Sequence, residues 1–412
     1  MNTADATADL RFDPEARLIL RCLRRGSVSA VDGGAGSDGD LGLARDPVDW
    51  ERLTFAAASH GVLPLVYRRL KLAADIPPEA LAPMRAEFYG NSLNNLHFAR
   101  ELARLIELLD ARGLRAICLK GPTLALQAWS DLAMRQFNDL DLLVRPQDAA
   151  PAAEVLIAAG YWPRTFDREH PEISIARRCE DEFMRPGSPW MIDLHWELNP
   201  AYFSYGPDSA AVRERVETIR VEGAGVLTPA ARDMALCLAV HGAKHGWISL
   251  SGVCDFDQTM RMIDDADLPA MLDEARRSGC LRMLLLALAL ATDLLDAPIS
   301  PVFADALRRD RAVPSLLAGI ERRLFASVGM RARLYSDWLV PMRSIGGAGG
   351  RLRYFASRAL TPNIDDFDFM PLPQMLYPLY YPIRPLRLAW QQGRRFFTDV
   401  PHPLKRLRGT PR

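Results

Sequence analysis

ICLKGPTLALQAWSDLAMRQFNDLDLLV, residues 117–144, followed by MIDLHWEL at 191–198, is the stretch whose reading decides the fold. Residues 114–119 form a short apolar run halted at Lys120-Gly121-Pro122, the pattern of a strand ended by a turn. Residues 123–130 read as a helix, and 137–144 alternate before running apolar, as a strand entering a core does. A helix over 151–159 stopped by Gly160, then a strand over 190–196, completes a compact α/β unit.

The chemistry of this unit lies in its carboxylates. Side chains at i and i+2 of a strand share a face, so Asp139 and Asp141 project together while Leu140 packs behind them. Two such carboxylates repel unless a positive charge lies between them. Mg²⁺ suits the position, as a hard ion held by one or two carboxylates and by substrate phosphates, with Mn²⁺ as the alternative ion. Asp193 faces away from Ile192 and Leu194 by the same alternation. It completes a trio able to hold ions that activate an attacking hydroxyl and stabilise a leaving pyrophosphate. His195 reads as a buried or supporting histidine. Gly121 permits close backbone approach by a polyphosphate at a helix N-terminus, and Lys120 balances phosphate charge. No G-x-x-x-x-G-K-[ST] occurs, which disfavours a P-loop mechanism.

Outward from this unit the chain turns helical. Residues 12–24 read as a helix, Asp46 and Pro47 as the N-cap and first residue of another, and 80–112 as a long helix stopped at Gly113. Residues 229–325 are again helical. The expected organisation is a helical N-terminal region over 1–112 with a flexible Gly/Ser/Asp-rich stretch at 26–43, and a transferase-type core over 113–225. A helical domain over 226–345 and a Pro/aromatic-rich basic segment over 346–412 follow. GGAGG at 346–350 reads as a flexible break, and prolines 373, 378, 382 and 385 as barring an uninterrupted helix. From Arg384 to Arg412 there are eight Lys/Arg against one acidic residue. A solvated surface is the favoured reading there, ahead of peripheral membrane contact through 376–412.

Composition narrows the class. The 412 residues are 49% apolar and 25% charged, a globular balance. Lys+Arg and Asp+Glu both total 51, so there is no basic excess to hold a nucleic acid. Six dispersed cysteines without a C-x-x-C pair indicate reduced, buried thiols and a cytoplasmic location. Residues 1–20 carry four carboxylates and no apolar leader, and the run at 281–295 is too short to span a bilayer.

The two quoted segments resemble the uncharacterised bacterial nucleotidyltransferase family within the DNA polymerase β-like superfamily. So do HGVLPLVYRRL at 60–70, HGAKHGWISLSGVCDFDQ at 241–258 and LYPLYYPIRPLRL at 376–388. The resemblance implies an α+β fold: a small mixed sheet flanked by largely helical N-terminal and C-terminal regions. Gly121 falls at its glycine turn, Asp139 and Asp141 at the metal pair, Asp193 at the third, base-like position, and Arg135 at an arginine that contacts phosphate. The chain departs from the pattern in having Lys-Gly-Pro at the turn.

The resemblance therefore implies Mg²⁺-dependent transfer of a nucleoside monophosphate from an NTP to a hydroxyl or phosphate on a small-molecule, saccharide or protein acceptor. Kinase-like phosphoryl transfer on the same site and a non-catalytic NTP-binding or antitoxin-like module are the alternatives. His241 and His245, four apart on one helical face, are expected to pack or to contact substrate. Metal binding by the two with Asp255 or Asp257 is the weaker reading, because the H-E-x-x-H form is missing.

Overall fold

The structure, a computed structural model, describes residues 12–24, 47–73, 76–188, 190–203, 205–325, 339–362, 366 and 369–398. The stretch at 26–43 and the tail beyond 398 lie outside the described residues. The chain divides into two compact units, Met1–Gly346 and Gly347–Arg412.

In the first unit, strands β1 (Ile117–Cys118), β2 (Asp139–Leu143), β3 (Trp162–Pro163), β4 (Glu180–Met184), β5 (Met191–His195), β6 (Val216–Val221) and β7 (Ala224–Pro229) form one mixed sheet. Their order is β3-β4-β5-β2-β1-β7-β6. The centre of the sheet pairs β2 with β5 in parallel, Asp141 opposite Asp193 and Leu143 opposite His195. Strand β4 runs antiparallel to β5, placing Glu180 beside His195.

The helices used below are α1 (Pro14–Leu23), α2 (Trp50–Ser59), α3 (Leu63–Leu70), α4 (Pro78–Asp110), α5 (Pro122–Trp129), α6 (Ala149–Ala158), α7 (Ala231–Lys244) and α8 (Leu250–Met260). One sheet face is the core. Leu140, Leu142, Ile192, Leu194 and Phe183 pack there with Phe98, Leu102 and Leu105 of α4 and Ala152 and Leu156 of α6, all almost fully buried. Each such aliphatic side chain contributes about 1.5–3 kcal/mol, so the pleat is fixed by its apolar half. The polar half is thereby forced to the opposite face, where α7 lies. Arg215 grips the buried Asp233 of α7 through two hydrogen bonds of 2.7 and 2.8 Å, anchoring that helix beside β6.

Several elements differ from the sequence reading. The strand expected over 114–119 shrinks to Ile117–Cys118, because the Leu114 amide still bonds Leu109 O in the turn that closes α4. Helix α2 begins at Trp50 with Asp49 as its cap, not at Asp46-Pro47: the Asp49 side chain accepts from Arg52 N, while its own amide donates to Glu15 Oε1. Strands β3, β4, β6 and β7 were not anticipated.

In the second unit, a helix over Ala348–Leu360 takes up three residues of the glycine-rich break. A helix over Tyr380–Thr398 passes through Pro385, contrary to the proline-based expectation. Pro382 falls in its first turn, where an amide has no helical acceptor. Pro385 removes one bond inside the helix, against which stand Arg384 and Arg387, both buried and both 2.6 Å from the buried Asp366. The six cysteines are free thiols, and among the described residues no helix is long and apolar enough to cross a membrane.

Candidate active site

Strand alternation puts Asp139 and Asp141 of β2, Asp193 and His195 of β5, and Glu180 of β4 on the face opposite the core. They line a cavity of about 230 Å³ whose far wall is α7, with Met234, Cys237, Leu238, His241, Lys244 and His245. Lys120 enters from the end of β1. Its turn is held by Thr123 Oγ1 and Cys118 Sγ, which both donate to Lys120 O. Gly121 caps α5 at φ 62° and ψ −130°, a conformation essentially reserved for glycine, and an added Cβ would stand 3.4 Å from Asp139 O. The glycine turn is therefore packed directly against the strand that carries the carboxylate pair.

Asp141 is the hub. Its Oδ2 lies 3.1 Å from Lys120 Nζ and its Oδ1 3.1 Å from His195 Nε2, while His195 Nδ1 lies 2.8 Å from Glu180 Oε2. Burial works against the charge on Asp141, but Lys120 and His195 overcome it and hold the carboxyl well below the usual range. Burial likewise opposes the charge on His195, yet Glu180 and Asp141 lift its pKa to about 10. Asp139 and Asp193 fare differently. Burial, reinforced by Asp141, raises both, Asp193 to about 7. Asp193 Oδ1 is buried with no hydrogen-bond partner.

The cavity thus brings together Lys120, Asp139, Asp141, Asp193, His241 and His245 among the residues singled out from sequence. The two histidine rings lie 4.5 Å apart between centroids, tilted by 44° to each other. Their rings are exposed to the cavity, although protein surrounds them on most sides. Enclosure, followed by nearby cations, presses both towards the neutral form, His245 to about 4. Solvent access moderates the first of these effects. Gly242 between them is required by packing: a Cβ there would meet the Trp247 ring at 2.5 Å.

Arg135 does not line the cavity. Its Nε donates to Asp255 Oδ2 at 2.8 Å, Asp255 also accepts from Trp129 Nε1, and Arg135 Nη1 is buried without a hydrogen-bond partner. Asn91 and Asn95 of α4 clamp Arg135 O from below, at 3.1 and 2.7 Å. Asp257 is paired with Arg261 at 2.8 Å. Neither Asp255 nor Asp257 joins His241 and His245, so the alternative metal set read from sequence is not assembled. Sequence reasoning missed Glu180, Lys244 and Asn199 in the lining. For Lys244 the signal was present, since 241, 244 and 245 fall on one helical face.

The donors suit a divalent cation. Asp141, Asp193 and His195 each offer one ligand atom, and the three atoms lie within 4.8 Å of one another. An orphaned buried carboxylate oxygen is the kind of atom that a cation satisfies. The mixed sheet thus carries a carboxylate pair on β2 beside a glycine turn, with a third carboxylate on its parallel neighbour β5. The chain belongs to the uncharacterised nucleotidyltransferase family, whose sequence model matches residues 46–296. A comparison with curated proteins finds no match.

Proposed function

We propose that the chain is a Mg²⁺-type metal-dependent nucleotidyltransferase that moves a nucleoside monophosphate from an NTP to a hydroxyl or phosphate acceptor. The observation that carries this reading is the convergence of Asp139, Asp141 and Asp193 on one sheet face, with Asp193 Oδ1 buried and unpartnered. These carboxylates would hold the cation, which when bound neutralises phosphate charge at the reacting phosphorus. Lys120 turns from Asp141 to the polyphosphate, and Gly121 lets the chain approach it. Asp193 orients the acceptor hydroxyl and takes its proton as the acceptor oxygen bonds to the α-phosphorus and pyrophosphate leaves. His241, His245 and Lys244 on α7 form the wall against which the acceptor is held.

Binding of a non-hydrolysable NTP in the presence of Mg²⁺ tests this. Wild type is expected to bind, and Asp141→Asn to bind at least about tenfold more weakly. With a hydrolysable NTP, pyrophosphate is the expected product, falling about 100-fold or more in the variant. No binding to wild type would overturn the reading, and release of nucleoside diphosphate would replace it with phosphoryl transfer.

A further inference from the structure

His195 was expected only to support the site, but its surroundings are those of a ligand. Its Nε2 stands 3.1 Å from Asp141 Oδ1. Neighbouring ligands at right angles around one ion, each bonded at about 2.0–2.2 Å, are roughly 3 Å apart. The pair already has that spacing. On the far side of the ring, Nδ1 lies 2.8 Å from Glu180 Oε2, an ion-pair distance without hydrogen-bond geometry. Histidines that bind metals characteristically donate this second N–H to a carboxylate, which fixes the ring and turns the other nitrogen's lone pair towards the ion. Asp193, opposite Asp141 in the parallel register, supplies the third atom of the group. Lys120 stands at Oδ2 of Asp141 rather than Oδ1, so lysine and ion do not compete for one oxygen. Asp139 is not part of this group.

We propose that His195 joins the carboxylates in binding the cation, giving a mixed nitrogen–oxygen set of Asp141, Asp193 and His195 with Glu180 at the second histidine nitrogen. An ion bonded to Nε2 would take the place of any proton on that nitrogen, which would pass to solvent. The inference rests on the reading that these carboxylates hold a cation. It does not depend on which group is transferred.

Mn²⁺ is the probe, added to the full-length protein without nucleotide and followed by electron paramagnetic resonance. Electron spin echo modulation from a directly bonded imidazole nitrogen is expected, and replacing the histidine nitrogens with their heavier isotope shifts it. In His195→Gln the modulation disappears and Mn²⁺ affinity falls at least about tenfold. In Glu180→Gln the modulation persists and affinity falls about tenfold. Circular dichroism of the variants confirms that they fold. Absence of bound Mn²⁺, absence of nitrogen modulation in wild type, or its persistence in His195→Gln overturns the proposal. Nitrogen-ligated Mn²⁺ in a protein that releases no pyrophosphate would leave it standing and remove only the transfer reading. Pyrophosphate release with oxygen-only Mn²⁺ would do the reverse.

Discussion

Asp139 stands two residues before Asp141 on the same strand face and has no hydrogen-bond or ion-pair partner among the described residues. Burial and the neighbouring carboxylate both disfavour its charge, so the metal-free fold carries it at a loss. Asp139→Asn keeps the shape and removes the repulsion. The thermal midpoint of metal-free protein is expected to rise by roughly 2 °C, while pyrophosphate release falls about 100-fold or more. A lower midpoint in differential scanning calorimetry would show that Asp139 is compensated after all. His245 gives a second residue-level test. Enclosure and the Lys244 ammonium press its pKa from the ordinary histidine value to about 4. With a depressed folded value, the unfolded chain takes the proton first. The stability tied to the neutral ring is complete above about pH 6.5 and is lost as pH falls towards about 4. Over that window wild type should lose more of its thermal midpoint than His245→Gln, and parallel profiles would contradict the assignment. At this scale the sequence was informative where a side chain's face follows from its own strand, as for Asp139, Asp141 and Asp193. It was silent on Glu180, whose role depends on β4 lying beside β5.

Among the elements, those legible in sequence bury one continuous apolar face. Strand β2 and helix α4 announce themselves because Leu140, Leu142, Leu102 and Leu105 follow strand and helix periods into one core. Strand β4 hides because three of its five residues are acidic, two of them serving the polar face and its rim. The β6–β7 hairpin hides because much of β6 is exposed and its turn residues Glu222-Gly223 interrupt the apolar signal. The start of α2 depends on an amide bond from Asp49 to Glu15, thirty-four positions away, which no local rule detects. A comparable long-range tie joins α4 to the segment after α6. Tyr161 Oη donates to Glu101 Oε1 at 2.8 Å, and the same carboxylate accepts from Arg104 Nη2 at 2.6 Å. Tyr161→Phe leaves Glu101 short of one buried donor, and a destabilisation of about 1–2 kcal/mol is expected. Urea denaturation measures it, and a change near zero would mean that Arg104 and Arg185 already satisfy the carboxylate.

For the molecule as a whole, net charge says little because the charges are sorted locally rather than globally. The sums of 51 and 51 conceal a cavity in which carboxylates on the sheet face Lys120 and Lys244. That sorting has a consequence for nucleotide choice. A cavity of about 230 Å³ lies below the range of roughly 300–1,000 Å³ that encloses an organic ligand. Its lining joins carboxylates, lysines and histidines with Leu119, Leu198 and Met234, and among the described residues it includes no Phe, Tyr or Trp on which a base could stack. Such a space accommodates the phosphates and the reacting hydroxyl while the base stays outside, in contact with solvent. Discrimination among bases without hydrogen bonds or stacking is worth little more than 1 kcal/mol, a factor below about tenfold. On the proposed function, kcat/KM for ATP, GTP, CTP and UTP should therefore agree within about tenfold. A preference beyond about 100-fold for one base would require a base pocket that forms only when nucleotide enters, with α7 moving away from the sheet to make it.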